Sequence, residues 1–191
     1  KKDDLAKSLG LDKTKRKIWL AASTHDGEEK KILDSHKLIC DEISDCLLIL
    51  VPRHPNRFNE VYDLVENEGF SCERRSNSKD NKSINLSSKQ VLLGDSMGEL
   101  LLYYCLADCA FVGGSLVPVG GHNILEAFAV GCPAIIGPHQ HNFIEMTQAA
   151  LASRATKIAS DHRALAKAVL ELLSLNDLKD KQVKCAYSFL S

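Results

Sequence analysis

Short apolar runs recur along this chain, and each ends at a loop bearing glycine, proline or serine before a stretch of helical period begins. That alternation limits the possible folds more than any other feature. The runs at 17–22, 46–51, 91–94, 109–112, 133–136 and 155–158 have the length of strands. Cys46-Leu47-Leu48-Ile49-Leu50 is apolar without a break, which suits a parallel strand buried on both faces. Between the runs, 28–43, 58–69, 97–107, 123–130, 143–152 and 161–174 read as helices, as Ile32, Leu33, His36 and Ile39 illustrate by their spacing. A last helix is expected beyond Asp177, an edge strand over 71–75 and a long polar surface loop over 76–89. Strand and helix in turn predict an α/β fold, a doubly wound parallel sheet with helices on both faces.

The chain's 191 residues suffice for one well-packed domain. With 24 Lys and Arg against 25 Asp and Glu there is no basic excess to hold a nucleic-acid backbone, so no nucleic-acid partner is expected. Seven cysteines, odd in number and set mostly in apolar runs, read as buried reduced thiols of a cytosolic protein rather than a disulfide framework. No Cys-x-x-Cys pair supports zinc. No apolar run reaches the ~20 residues that span a bilayer, and the charged start lacks the apolar stretch of a signal peptide. Residues 1–16 are read as a linker following an upstream domain, and 17–191 as the folded unit.

Ligands of open α/β sheets bind beyond the carboxyl ends of the strands, so the loops leaving the strands hold the candidate residues. In Ser23-Thr24-His25-Asp26-Gly27-Glu28 the acidic residues suit a helix start, while Ser23 and His25 stay open. Pro52-Arg53-His54-Pro55 stiffens the backbone around an arginine able to bind a phosphate or carboxylate through two hydrogen bonds. Ser96-x-x-Glu99 and Asn123-x-x-Glu126 each have capping-box spacing, and both helix starts would also favour an anion. For Glu99 the cap is the preferred reading. Gly113, Gly114, Gly120 and Gly121 surround an apolar loop, an arrangement that a cap does not explain and that would let a ligand approach the backbone. Neither the Walker pattern nor Gly-x-Gly-x-x-Gly is present. His139-Gln140-His141 reads as polar loop, with no third metal ligand nearby.

In order along the chain stand Pro52-Arg53-His54-Pro55, Asp95-Ser96-Met97-Gly98-Glu99-Leu100, Phe111-Val112-Gly113-Gly114-Ser115-Leu116-Val117, Gly120-Gly121-His122-Asn123-Ile124-Leu125-Glu126 and Gly137-Pro138-His139 with Asn142-Phe143. This series resembles the carboxyl-terminal half of the 3-deoxy-D-manno-octulosonic acid (Kdo) transferases of Gram-negative lipopolysaccharide synthesis. The resemblance implies the GT-B architecture of two Rossmann-like domains facing a cleft. It implies transfer of Kdo from CMP-Kdo to a lipid A precursor at the cytoplasmic face of the inner membrane, with inversion by direct displacement. Arg53, His54, Met97, Gly98, Glu99, Asn123, Ile124, Leu125 and Glu126 would then contact CMP. Ser23, Gly114, Ser115, Gly121 and His122 would be second-rank donor contacts on the same wall. The catalytic base, the acceptor surface and the membrane attachment would belong to the amino-terminal domain, and neither cofactor nor metal is expected. The competing readings are another GT-B protein, such as a UDP-sugar transferase or epimerase, and a nucleotide-binding module without catalysis.

Overall fold

The computed structural model describes residue 9, residues 16–78, residue 86 and residues 88–191. Seven strands form one sheet: β1 (Ile18–Thr24), β2 (Leu47–Pro52), β3 (Cys72–Arg74), β4 (Val91–Leu93), β5 (Cys109–Val112), β6 (Ala134–Ile136) and β7 (Thr156–Ile158). All neighbours pair in parallel, in the order β3-β4-β2-β1-β5-β6-β7. The helices are α1 (Glu29–Glu42), α2 (Phe58–Asn67), α3 (Leu100–Leu106), α4 (Leu125–Ala129), α5 (Ile144–Ala152), α6 (His162–Ser174) and α7 (Asn176–Leu190). Single 3-10 turns cover Pro55–Arg57 and Arg75–Ser78.

Because strand side chains alternate across the sheet, each apolar run feeds two cores. Ile18, Leu20, Ile49, Ala110 and Ile136 pack with Tyr103, Phe128 and Ala186 of α3, α4 and α7. Trp19, Leu48, Phe111 and Ile135 pack with Ile32, Val61 and Val169 of α1, α2 and α6 on the other face. The doubly wound parallel sheet expected from the sequence is therefore the observed fold. Among the described residues no helix is long and apolar enough to cross a membrane.

The chain moves outward from β1 to β2 and beyond, then returns through β4 and α3 to β5 on the other side of β1. The reversal of strand order falls at the carboxyl ends of β1 and β5, where sheets of this type have the crevice that takes ligands.

Several expectations need correction. The helix expected over 97–107 begins at Leu100 and that over 123–130 at Leu125, so neither capping box forms. Ser96 and Glu99 bond to each other by their side chains, and Gly98 at φ +79° takes the chain off the helical path. The stretch read as a linker is not all surface tail. Leu9 is fully buried in the core, and the Arg16 guanidinium donates to the carbonyls of Leu86 and Lys89. Most of 1–15 and much of the expected loop 76–89 lie outside the described residues.

Candidate functional site

Glu28 organises the crevice. It directly precedes α1 and is fully buried. Its carboxylate accepts hydrogen bonds from the backbone N–H groups of Gly114 (2.7 Å), Ser115 (2.9 Å), Leu116 (2.8 Å) and His25 (3.0 Å). Four donors around one carboxylate make a charge-assisted clasp that ties the loop after β5 to the turn after β1. The sequence reading of Glu28 as a helix-start charge is thus replaced by an anchoring role.

The glycines serve the same clasp. A Cβ on Gly113 would lie 2.5 Å from the Ser23 carbonyl oxygen, so only glycine lets β5 end so close to β1. Ser23 meets it with φ +54°, after a register shift between Ala22 and Thr24. Gly121 has φ +80°, and a Cβ there would strike the Gln140 side chain. The space that the sequence suggested for a ligand around Gly114 and Gly121 is occupied by the protein's own His122 and Gln140 side chains.

Two further assignments change for similar reasons. The Ser115 hydroxyl, fully buried, donates to the Val112 carbonyl (2.6 Å) and accepts from Gly137 N–H (2.8 Å), so it joins β5 to β6 and leaves no group for a ligand. Ile124 is fully buried among core residues, which removes its side chain from the crevice.

Next to the clasp stand three histidines from three loops. His25 Nε2 lies 2.7 Å from His122 Nε2, and the rings stack with centroids 5.0 Å apart at 14°. His54 meets His25 edge-on at 5.2 Å. Burial is the largest cause holding His25 below the ordinary imidazole value, with Glu28 opposing and His54, Arg53 and Arg57 adding to the depression. Burial, His25, Arg53 and His54 together bring His122 down to about 4. The local sequence points to His54 and His122 and leaves His25 open, since nothing local shows that residues 25 and 122 meet.

Arg53 is exposed, and its guanidinium has no hydrogen-bond or ion-pair partner among the described residues. The other arginines of these loops are engaged. Arg57 pairs with Glu29 (2.8 Å), Glu60 (2.7 Å) and Asp26 (3.4 Å), Arg74 with Asp95 (2.7 Å) and Arg75 with Glu99 (2.8 Å). Glu29 itself is buried, which raises its pKa against the bonds from Arg57 and Thr24.

The segment after β4 is held from β3. Asp95 also accepts from Ser76 N–H and Oγ (2.7 and 2.6 Å). Burial would raise Asp95, but Ser76 and Arg74 hold it low. Burial likewise opposes, and Arg75 and Ser96 outweigh it, in keeping Glu99 low. Met97 is 67% exposed and Gly98 is exposed beside it. After β5, Asn123 accepts from Leu125 N–H through Oδ1 (2.9 Å), a local turn in place of the expected box. Glu126 is exposed and has no hydrogen-bond partner among the described residues, while Leu125 is half-buried. His139 and His141 take no part in a metal group: among the described residues no three His, Cys, Asp or Glu side chains are grouped to hold one.

A parallel sheet with its loops gathered at the β1/β5 reversal defines a Rossmann-like domain of the GT-B glycosyltransferase type. HepE of Anabaena, solved with UDP and glucose, has this fold at a TM-score of 0.69 and 12% identity, over 98% of this chain and 46% of its own. The chain belongs to the 3-deoxy-D-manno-octulosonic acid transferase family and corresponds to the C-terminal domain of those proteins. The C-terminal CMP-Kdo binding domain of WaaA from Acinetobacter baumannii is 36% identical with a TM-score of 0.91, over 100% of this chain and 96% of that domain. The 3-deoxy-D-manno-octulosonic acid transferase of Haemophilus influenzae is 44% identical over 181 residues, 94% of this chain. This chain spans 42% of that relative's length and 38% of its Bordetella pertussis counterpart's. No family model matches the chain.

Proposed function

We propose that this chain binds CMP-Kdo and serves as the donor-binding half of an enzyme that transfers Kdo to a lipid A precursor in lipopolysaccharide synthesis. One observation carries the reading. The full-length match to a CMP-Kdo binding domain coincides with an uncommitted cation, Arg53, among three histidines at the sheet's ligand crevice. Arg53 supplies a fixed charge and two parallel donors for the phosphate. Glu126, a carboxylate with no internal partner among the described residues, suits ribose hydroxyls. Met97, Gly98 and Leu125 offer surface on either side.

During direct displacement the phosphate gains negative charge as the glycosidic bond breaks, and a preplaced guanidinium stabilises that charge. The catalytic base, the acceptor and attachment to the cytoplasmic face of the inner membrane are assigned to the part of the relatives' length that this chain does not span. The phosphate is met by Arg53 without a metal, so EDTA is expected to leave CMP binding unchanged. Calorimetric titration with CMP and with UDP tests the donor assignment. Preference for CMP is expected, and preference for UDP would overturn the Kdo reading in favour of a UDP-sugar enzyme.

A further inference from the structure

Two imidazole nitrogens 2.7 Å apart hold one proton between them. With none, two lone pairs face each other at hydrogen-bond distance; with two, N–H meets N–H. In the free pair of His25 and His122 one N–H therefore donates to the other ring's nitrogen, and burial, the largest cause lowering both rings, favours the pair that is neutral overall. The groups facing it explain why it stays so. From the turn after β1 comes Glu28, whose oxygens are taken up by four backbone donors. From the loop after β2 come Arg53, the third imidazole, His54, and Arg57, whose charge is shared among Glu29, Glu60 and Asp26. Burial chiefly opposes a second proton on either ring; Glu28 favours one on His25, and Arg53, with no ion-pair partner among the described residues, adds to the opposition on both.

An anion bound to Arg53 shifts that balance toward protonation, because it cancels one repelling charge and adds an attraction of its own against the cost of burial. A Kdo donor carries two negative groups, the phosphodiester and the sugar carboxylate, whereas Arg53 contributes one positive charge. The neighbouring arginines are bound to Asp95, Glu99, Glu29 and Glu60.

We propose that His25 and His122 form a proton-linked oxyanion receptor: when an oxyanion settles beside Arg53, the pair takes up a second proton, opens, and turns two N–H donors toward it. The proton comes from solvent and leaves with the ligand. The proposal rests on the donor-binding reading and extends it by assigning the second positive charge. It gives the paired rings a positioning role and assigns them no bond-making step.

The probe is the 5′-phosphate methyl ester of cytidine, a diester that does not itself titrate between pH 5 and 8. The ring signals of labelled histidines are followed by NMR from pH 4 to 8 in the free chain and from pH 5 to 8 with saturating ester, and the affinity is measured from pH 5 to 8, above the titration of the cytosine ring. In the free chain both rings should titrate below an ordinary histidine. Saturation should raise at least one of them by a pH unit or more. Affinity should fall by up to about tenfold per pH unit as pH rises through the window between the free and bound values, as uptake of one proton requires. His122→Gln keeps a hydrogen-bond partner for His25 but leaves only one ring of the pair, so its affinity should fall with pH less steeply than that of the wild type; His25→Gln is the reciprocal variant. Binding by the wild type with unshifted rings or pH-independent affinity overturns the receptor and leaves the donor reading standing. No binding at any pH removes both.

Discussion

Among single residues, Arg53 and His36 show how surroundings set the role of a side chain. Arg53 stands exposed with no partner among the described residues, as a loop arginine between two prolines suggested. If its guanidinium takes the phosphate, Arg53→Ala should weaken CMP binding by about 1.5–3 kcal/mol, the range for hydrogen bonds to charged groups. Calorimetry checks this, and unchanged affinity in a folded variant would remove Arg53 from the site. His36 matches helical spacing and is fully buried. Its Nδ1 accepts from Trp19 Nε1 (3.1 Å) and its Nε2 donates to the Gln90 carbonyl (3.1 Å), so no position is left for a second proton. Burial brings it down to about 4. Above pH 6.5 the folded and unfolded rings are both neutral and stability is unaffected. As pH falls toward 4 the unfolded ring gains a proton that the folded ring refuses, so stability drops. Between pH 7 and pH 4 the loss should reach about 3 kcal/mol. Urea unfolding of the wild type and His36→Gln should show the gap between them moving by that amount in the variant's favour.

For the elements, the strands were legible because burial on both faces leaves an unbroken apolar run, and β2 is buried at every position. Helix starts were less so. The spacing of Ser96 to Glu99 and of Asn123 to Glu126 is that of a capping box, yet α3 and α4 begin at Leu100 and Leu125. The Glu99 carboxylate goes instead to Arg75, 24 residues earlier, a partner that no local window contains. Glu28 shows the same blindness over a longer distance, since its N–H donors lie up to 88 residues away. Glu28→Gln keeps the shape but replaces one acceptor oxygen with a donor that faces backbone N–H groups. We predict a loss of about 1–3 kcal/mol in urea unfolding for each backbone N–H left without an acceptor. A change under 1 kcal/mol would show that the loop after β5 does not depend on the clasp.

The whole molecule couples this crevice to global stability, because the loops that form it join β1, β2, β4 and β5 across the middle of the sheet. A ligand that binds only the folded chain stabilises it by mass action, about 2.7 kcal/mol at a hundredfold excess over Kd. For a domain of this size CMP at that excess should raise Tm by about 5–10 °C, as read by calorimetry or fluorescence. The same concentration of UDP should raise it less, and Arg53→Ala should lose most of the CMP effect.

Read alone, the sequence determined the parallel α/β architecture, the end of the sheet where the candidate site lies, and the family to which the chain belongs. Those properties are written in local patterns: apolar runs, the loops that stop them, and a motif series in fixed order. Tertiary structure decided the strand order β3-β4-β2-β1-β5-β6-β7, the burial of Leu9, and which motif residues face the crevice. It turned Ser115 and Ile124 inward and left Arg53 and Glu126 outward. It also brought His25 to His122. The physical reason is common to all of these: a side chain's role depends on partners from other strands and loops, and hydrophobic period carries no information about which of them will meet.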